Sequence, residues 1–247
     1  MPEERITERL TSEIGQLVMP FYLICDVSAS MSADIPSLNA GVVRLCRAIV
    51  AEPVVDDVAQ ISIISFSDTA RILMPLGQMS ENVVPMLSVE GGTNYSEAFR
   101  LLAQSIQHDS ARLREQGYKI YRPCAFFLTD GAPMDADWHH TFVKELTYDR
   151  RTGRGFKAHP IFVPFGFRDA TSSVLKRLAY PPDRGKWYLA KNATVEQALT
   201  GILQTIMQTV VIAGRSAGTG QPTITQQLPA PGSGILHGDS QYDPDYV

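Results

Sequence analysis

The sequence predicts an α/β fold with a doubly wound, mainly parallel central sheet, one antiparallel edge strand and helices on both faces. Short apolar runs alternate along the chain with longer segments whose apolar residues recur at helical spacing. A turn at residues 67–69 joins one apolar run to a shorter one, which is the pattern of a hairpin at a sheet edge. Because strands that alternate with helices pair in parallel, helices should cover both faces of the sheet.

Each predicted strand is an apolar run that is too short for a helix and is bounded by residues typical of turns. Pro20 opens the first run and Pro123 opens a later one, and the run before the 67–69 turn is rich in isoleucine. The short run after that turn returns antiparallel at the edge of the sheet. In chain order, the predicted strands are residues 20–25, 59–66, 71–74, 123–128, 158–165 and 187–189.

Helices are predicted where apolar residues recur every three or four positions. Ile35, Leu38 and Val42 begin such a stripe after the first strand. Val195 and Leu199 begin the last one, which we expect to face the core. In chain order, the predicted helices are residues 35–50, 96–115, 138–146, 172–178 and 195–212.

The chain should form one domain followed by a tail. The alternation of strands and helices extends over residues 13–215, and a chain of 247 residues fits a single α/β domain with a short extension. From residue 216 to residue 247 the composition changes to glycine, proline, glutamine, threonine and serine. Such a segment buries little apolar surface, so we predict a disordered or loosely attached tail.

Charge and hydropathy argue against nucleic-acid and membrane partners. The formal net charge is −4, and Asp239, Asp243 and Asp245 of the tail contribute much of it, so the domain is close to neutral. A near-neutral domain lacks the positive footprint of nucleic-acid binding. No run approaches the ~20 apolar residues that cross a bilayer, and the charged N-terminal sequence lacks the apolar core of a signal peptide.

The cysteines point to a reducing compartment. Cys25 and Cys124 lie in strand-like runs and Cys46 lies on the apolar stripe of a helix, so all three should be small buried side chains. An odd number of cysteines in such positions is typical of free thiols. Together with the N-terminal sequence, this predicts a cytoplasmic protein.

Oxygen-bearing side chains follow the predicted strands at the sheet edge where ligands of open parallel sheets collect. Asp26, Ser28 and Ser30 come at the end of the first strand, Thr93 follows a Gly-Gly pair before a helix, and Asp130 follows the strand that Pro123 opens. Carboxylate and hydroxyl oxygens are the ligands that hard divalent cations prefer. These five residues therefore predict a metal site, with Mg²⁺ as the expected ion and Ca²⁺ and Mn²⁺ as alternatives.

The charge of this ligand set predicts what the metal does. Asp26 and Asp130 offset the charge of a dication, and the hydroxyl ligands add none, so the bound ion stays electrophilic. An open coordination position would then accept a carboxylate from another molecule, which the same aspartates would repel in the absence of metal. The sequence predicts metal-dependent binding of a Glu or Asp side chain of another protein, and no catalytic residue.

At these positions the chain resembles the von Willebrand factor A (vWA) domain superfamily, whose metal-ion-dependent adhesion site (MIDAS) has the pattern D-x-S-x-S, then Thr, then Asp. Asp26, Ser28, Ser30, Thr93 and Asp130 match every position of that pattern in order, and the likeness extends to about Arg215. The resemblance implies a Rossmann-like vWA fold, one divalent cation and a role in protein–protein interaction.

Within that superfamily, the chain looks most like bacterial tellurium-resistance proteins of the TerY type. The likeness is carried by residues 20–23, 38–41, 122–123 and 128–133. It implies a cytoplasmic module of a stress-response or signalling system that works beside a protein kinase and a phosphatase.

Other features near the site allow more than one interpretation. Met134, Trp138 and Phe167 follow two of the strand ends and are predicted as a rim that contacts a partner. The acidic and histidine residues of 135–140 suggest either a second metal site or, as we favour, a helix N-cap with two exposed histidines. The basic run 150–154 suggests a solvated turn or a phosphate contact.

Two other functions remain open at this point. The chain could be a Mg²⁺-dependent hydrolase or phosphatase that uses Asp26, although aspartate-nucleophile phosphatases carry a second acid where this chain has Ser28. It could also be a structural scaffold whose metal only stabilises loops. A phosphatase assay and the response of partner binding to chelation distinguish them.

Overall fold

The computed structural model describes residues 15–191 and 194–242, so the predicted domain start at Glu13 and the end of the acidic tail lie outside the described residues. Within these ranges the strands are β1 (Leu17–Asp26), β2 (Ala59–Phe66), β3 (Ala70–Gly77), β4 (Lys119–Ile120), β5 (Cys124–Thr129), β6 (Tyr148–Asp149), β7 (Arg154–Gly155), β8 (Ile161–Gly166), β9 (Lys186–Ala190) and β10 (Ile235–Asp239). The helices are α1 (Ile35–Val50), α2 (Pro53–Val58), α3 (Tyr95–Glu115), α4 (Trp138–Leu146), α5 (Ser172–Leu178) and α6 (Val195–Gly218).

The main sheet has the strand order β10-β9-β8-β5-β1-β2-β3, and β4 pairs with the start of β1. The inner neighbours β9, β8, β5, β1 and β2 pair in parallel. This confirms the predicted doubly wound, mainly parallel sheet. The prediction of one antiparallel edge strand is incomplete, because the sheet has two: β3 pairs antiparallel at one edge and β10 at the other.

The second antiparallel edge comes from the segment that composition predicts to be a disordered tail. Ile235 is buried and pairs with Ala190, and the Trp187 indole donates a hydrogen bond of 3.1 Å to the carbonyl of Asp239. Farther along, Tyr242 packs edge-on against Tyr180. A few apolar side chains and an unpaired strand edge are therefore enough to order a glycine- and proline-rich segment.

Alternation along β1 divides the core into two layers. Phe21, Leu23 and Cys25 point into the layer beneath α1 and α6, whereas Tyr22 and Ile24 point into the layer beneath α3 and α4. This is the period of two that a strand imposes on its side chains. Both faces of the central strand are buried, so its sequence is a continuous apolar run.

Helix α6 extends beyond the predicted residue 212 and packs along α1. By length and composition it is apolar enough to cross a membrane, the one such helix in the described ranges. Its stripe of Leu199, Ile202, Ile206 and Val210 is buried in the core layer. Core packing accounts for this apolar composition.

Candidate metal centre

Asp26 is the last residue of β1, and its carboxylate is fully buried where the strand meets the following loop. The Ser28 amide donates a hydrogen bond of 2.9 Å to Asp26 Oδ1. The chain then turns into the short 3-10 helix Ala29–Ala33, which brings the hydroxyls of Ser28 and Ser30 within 3.1 Å of each other. The D-x-S-x-S segment thus folds back on its own carboxylate.

The end of β5 lies next to this loop because β5 is the parallel neighbour of β1. The Ser30 hydroxyl donates a hydrogen bond of 2.9 Å to Asp130 Oδ1, and the Thr129 hydroxyl donates one of 2.8 Å to Asp26 Oδ2. Asp130 is 1% exposed, yet its second carboxylate oxygen, Oδ2, has no hydrogen-bond partner. Residues 100 or more positions apart therefore meet in one polar cluster with one unsatisfied oxygen.

The loop that carries Thr93 is attached to the same edge through its backbone. The Ala29 amide donates to the Gly91 carbonyl at 3.0 Å, and the Met134 amide donates to the Thr93 carbonyl at 2.9 Å. Thr93 itself is 7% exposed. The structure thus joins Asp26, Ser28, Ser30 and Asp130 through hydrogen bonds of their own atoms, and it places Thr93 on the adjoining loop.

Gly91 and Gly92 allow a close approach to the loop before Thr93, and the group that approaches is the Asp68 carboxylate. A Cβ atom on Gly91 would collide with Asp68, and one on Gly92 would lie 2.6 Å from Asp68 Oδ1. Sequence reasoning missed Asp68 as a neighbour of the site. The signal was present, since the turn that contains it follows the end of β2 at the same sheet edge.

Burial makes the two central carboxylates hard to ionise. It raises the pKa of Asp26 to about 6, against the lowering effect of the Ser28 and Thr129 hydrogen bonds and with a further increase from the nearby Asp130 charge. It also raises the pKa of Asp130, while the Ser30 hydrogen bond and the Arg168 charge act in the opposite direction. A nearby cation would favour the ionised form of both groups.

An ion pair that the sequence did not reveal lies beside the cluster. The Arg168 Nη2 atom is 2.6 Å from Asp34 Oδ2, and the Asp34 side chain is only 7% exposed. Arg168 has a φ of 51°, the one positive φ of a non-glycine residue in the described ranges. The Asp169 amide holds this turn in place by donating to the Asp130 carbonyl at 2.9 Å. Arg168 thus neutralises Asp34, which is the third buried carboxylate near the site after Asp26 and Asp130.

The donor set fits a hard divalent cation. Its oxygens come from carboxylates and hydroxyls, and Asp130 Oδ2 is a buried acceptor that lacks a donor. Within residues 15–191 and 194–242, no group of three or more His, Cys, Asp and Glu residues could hold a metal ion. A metal at this site would therefore depend on the hydroxyls of Ser28, Ser30 and Thr93 as well as on the aspartates.

The predicted rim is only partly at the surface. Met134 is 77% exposed and next to Thr93, as expected for a rim residue. Trp138 is half-buried, with its ring 6.2 Å from that of Tyr95. Phe167 is 1% exposed and packs in the core layer beneath α1 and α6, so the rim role predicted for it is wrong. Phe167 lies two residues beyond the buried Phe165 and is in the same core layer, so its ring continues the inward face of β8.

Asp135 caps a helix, but not the one that follows it. Its carboxylate accepts hydrogen bonds from the amides of Tyr95, at 2.8 Å, and Ser96, at 3.1 Å, at the start of α3. Asp137, the N-cap of α4, makes no side-chain cap hydrogen bond. His139 is half-buried rather than exposed, and burial lowers its pKa to about 4. The predicted cap of the following helix is therefore wrong, because the Asp135 carboxylate binds the start of α3 and Asp137 makes no cap hydrogen bond.

Solved structures with the same fold were found by comparison, each at low sequence identity. Proximal thread matrix protein 1 of the mussel byssus, with a zinc-occupied MIDAS motif, is 12% identical with a TM-score of 0.53, over 80% of this chain and 49% of that one. The pilus adhesin SpaC of Lactobacillus rhamnosus GG is 14% identical with a TM-score of 0.55, over 80% of this chain and 31% of that one. The PilB minor pilin of Streptococcus sanguinis is 12% identical with a TM-score of 0.53, over 79% and 62%.

This chain therefore spans less than two thirds of the length of each of these proteins. Among proteins with curated descriptions, none matches its sequence. Residues 21–132 match the family model of the von Willebrand factor type A domain, and that range contains Asp26, Ser28, Ser30, Thr93 and Asp130. Over residues 21–132 the chain is therefore similar to the von Willebrand factor type A domain, and its mainly parallel sheet with helices on both faces agrees with that fold.

Proposed function

We propose that this chain is a metal-dependent protein-binding module in which Asp26, Ser28, Ser30, Thr93 and Asp130 hold one divalent cation. The observation that carries the proposal is the buried Asp130 Oδ2 atom, which lacks a hydrogen-bond partner in a cluster whose other oxygens are shared between two strand ends. A buried carboxylate oxygen without a partner is costly, and a cation would satisfy it.

The charge balance of the site indicates what the cation would bind. Asp26 and Asp130 neutralise a dication, and the Asp34–Arg168 ion pair adds no net charge beside it. The remaining neighbour, Asp68, is exposed, so water screens its charge. The bound ion supplies Lewis acidity toward an oxygen ligand. A Glu or Asp side chain of a partner protein is therefore the ligand class we propose. Mg²⁺ is the expected ion, and Ca²⁺, Mn²⁺ and Zn²⁺ are the alternatives to test.

Calorimetric titration of the purified protein with each metal tests the site itself. Asp130→Asn should abolish metal binding, because it removes one of the two carboxylate charges. Asp169→Asn is the matched control, since Asp169 is an exposed acid next to Asp130. Equal metal binding by wild type and Asp130→Asn would contradict the proposed ligand set.

Affinity capture tests the proposed function beyond the metal. The full chain should retain partner proteins in Mg²⁺ and release them in EDTA, and Asp26→Ala or Thr93→Ala should have the effect of EDTA. Partners that are retained equally under all these conditions would exclude a metal-mediated contact. A large thermal stabilisation by Mg²⁺ without any metal-dependent partner would instead favour a scaffold role.

We further propose a cytoplasmic bacterial stress-response or signalling system as the setting, with a protein kinase and a phosphatase among the partners. The support is the sequence likeness to tellurium-resistance proteins of the TerY type and the three buried, unpaired cysteines Cys25, Cys46 and Cys124. Capture of a kinase or phosphatase in Mg²⁺ but not in EDTA is the expected result. Capture of cell-surface proteins alone would contradict this setting.

We propose that the chain is not an enzyme. A hydrolase that used Asp26 as a nucleophile would need a proton donor close by, and the residue two positions later is Ser28. An assay of phosphate-ester hydrolysis in Mg²⁺ checks this directly. Turnover that disappears in Asp26→Asn would replace the binding function by catalysis.

A further inference from the structure

A second concave site lies at the end of the sheet opposite the metal centre. It is a cleft of about 590 Å³ between the end of α3 and the start of β5, lined among others by Arg114, Tyr121, Arg122, Phe156 and Lys157. We call it the basal cleft. Strand β5 separates it from Asp130, and six residues of strand correspond to roughly 20 Å. The two sites can therefore act independently.

The basal cleft is strongly cationic. Arg114, Arg122 and Lys157 line it, and no acidic side chain is among its lining residues. In the described part of the chain, none of these three groups forms an ion pair, and the Arg122 guanidinium donates instead to the His159 carbonyl at 2.7 Å. Three cations at one concave surface focus a positive potential that attracts anions.

Two further positive charges act on Arg122. Burial lowers the pKa of Arg122, and the charges of Arg150 and Arg184 lower it further, against a weaker opposite effect of Asp183. Arg150 lies at the β6–β7 hairpin, in the basic run that the sequence associates with either a solvated turn or a phosphate contact. The charge of Arg150, the first residue of that run, therefore acts on Arg122, which lines the basal cleft.

The remaining walls indicate what kind of anion fits. Phe156 offers an apolar surface, and the Ser110 and Tyr121 side chains offer hydroxyl donors. The volume is within the roughly 300–1,000 Å³ range of small-molecule sites, so an inorganic ion alone would not fill it. A phosphate monoester carries a charge of about −1.5 to −2 near neutral pH, a better match to several cations than a single carboxylate.

We propose that the basal cleft binds an organic phosphate monoester, with the phosphate against Arg114, Arg122 and Lys157 and the carbon part against Phe156. Guanidinium groups bind phosphate oxygens through paired, charge-assisted hydrogen bonds, which favours this ligand class. The phosphate monoester can come from a small metabolite or from a phosphorylated side chain of another polypeptide.

Titration calorimetry of the full chain with phenyl phosphate, benzoate and inorganic phosphate tests the proposal. Phenyl phosphate should bind most tightly. Arg114→Gln and Lys157→Gln, which alter exposed side chains, should each weaken it about tenfold, the loss expected for one charge-assisted hydrogen bond. Arg47→Gln on α1 removes the same charge far from the cleft and should leave binding unchanged. Arg122→Gln is less informative because it also breaks the contact with the His159 carbonyl.

A phosphotyrosyl peptide separates the two sources of the ligand. Tighter binding of the peptide than of phenyl phosphate would assign the cleft to a phosphorylated protein, and equal binding would assign it to a small molecule. Failure of phenyl phosphate to bind, binding of benzoate with equal affinity, or equal affinity in Arg114→Gln, Lys157→Gln and Arg47→Gln would overturn the proposal. Because every titration contains EDTA, none of these results depends on the metal centre.

Discussion

Thr129→Val should destabilise the protein by removing one hydroxyl that supports the metal centre. The Thr129 hydroxyl donates to Asp26 Oδ2 at 2.8 Å and receives a hydrogen bond of 3.0 Å from the Tyr95 hydroxyl. Valine has nearly the same shape as threonine and no hydroxyl. The substitution therefore tests the hydrogen bonds while it preserves the packing at the end of β5.

The size of the destabilisation depends on which groups lose a hydrogen-bond partner in Thr129→Val. Asp26 is fully buried, so its Oδ2 atom cannot replace the lost donor with bulk water. The Tyr95 hydroxyl still donates to the Gly131 carbonyl at 2.9 Å and adds little to the loss. A hydrogen bond to a charged group contributes about 1.5–3 kcal/mol, so the free energy of unfolding should fall by about 2 kcal/mol.

Urea denaturation in EDTA at about pH 7 measures this loss, with Thr129→Ser as the control. Serine keeps the hydroxyl and deletes a methyl group, so its loss should be smaller, about 1 kcal/mol. Thr129→Val should also raise the pKa of Asp26 further, whereas Thr129→Ser should not. If the serine variant lost as much stability as the valine variant, or the valine variant lost none, the Thr129–Asp26 hydrogen bond would not have the role assigned to it.

Four further predictions concern the metal site, the ionisation of Asp26 and the packing of α6. Because the pKa of Asp26 is raised to about 6, lowering the pH from about 7 to about 5 should weaken Mg²⁺ binding roughly tenfold by calorimetry. In EDTA the raised pKa of Asp26 should make the free energy of unfolding depend on pH. The contribution of the protonated Asp26 carboxyl is complete below its ordinary pKa of 3.8 and is lost as the pH rises through about 6. The free energy of unfolding should fall by about 3 kcal/mol over this range in the wild type and not in Asp26→Asn. Arg168→Gln should tighten Mg²⁺ binding by about 1 kcal/mol, because it leaves the Asp34 carboxylate without its cation. Asp34→Asn should weaken Mg²⁺ binding, because it leaves the positive charge of Arg168 unpaired. Equal Mg²⁺ affinities in the wild type and both variants would show that this ion pair is too far from the metal to affect it. Gly214→Ala on α6 should lower the free energy of unfolding by about 1–3 kcal/mol, since a Cβ at this position would lie 2.8 Å from the Val55 side chain and 3.1 Å from its Cα atom in α2. Gly131→Ala is the control and should change the thermal midpoint little, because a Cβ there would meet nothing within 4 Å.

Much of the fold could be predicted because the buried strands are short continuous apolar runs, whereas apolar residues recur every three or four positions along the helices. Strand β2 and helices α1, α4 and α5 have the predicted bounds, and the other predicted elements differ by one to six residues at their ends. The short elements α2, β4, β6 and β7 and the edge strand β10 were not predicted. The order of strands within the sheet did not follow from the pattern. Which strands become neighbours depends on which side-chain surfaces pack together in the folded core. The spacing of apolar residues along the sequence does not contain this information.

The candidate site could be predicted because four of its five residues, all except Thr93, stand at or just after the ends of β1 and β5. The carboxyl ends of parallel strands meet at one edge, so Asp26 and Asp130 had to lie close together once β1 and β5 were neighbours. The Arg168–Asp34 pair could not be found in this way, because it depends on a backbone turn with a positive φ at Arg168. Phe167 was placed at the rim because it follows a strand end, but it lies two residues beyond the buried Phe165 and shares its core layer, as strand alternation would predict.

Strand β10 (Ile235–Asp239) limits how far the C-terminus can be truncated without exposing an edge of the sheet. A version that stopped at Arg215, where the strand–helix alternation ends, would remove the last turn of α6 and leave the amide and carbonyl groups along β9 open to any other chain. Trp187 and Tyr188 would lose the cover that the returning segment gives them. Such a truncated protein would be prone to pair edge to edge with its own copies, so studies in solution are best begun with the sequence kept intact past Tyr242.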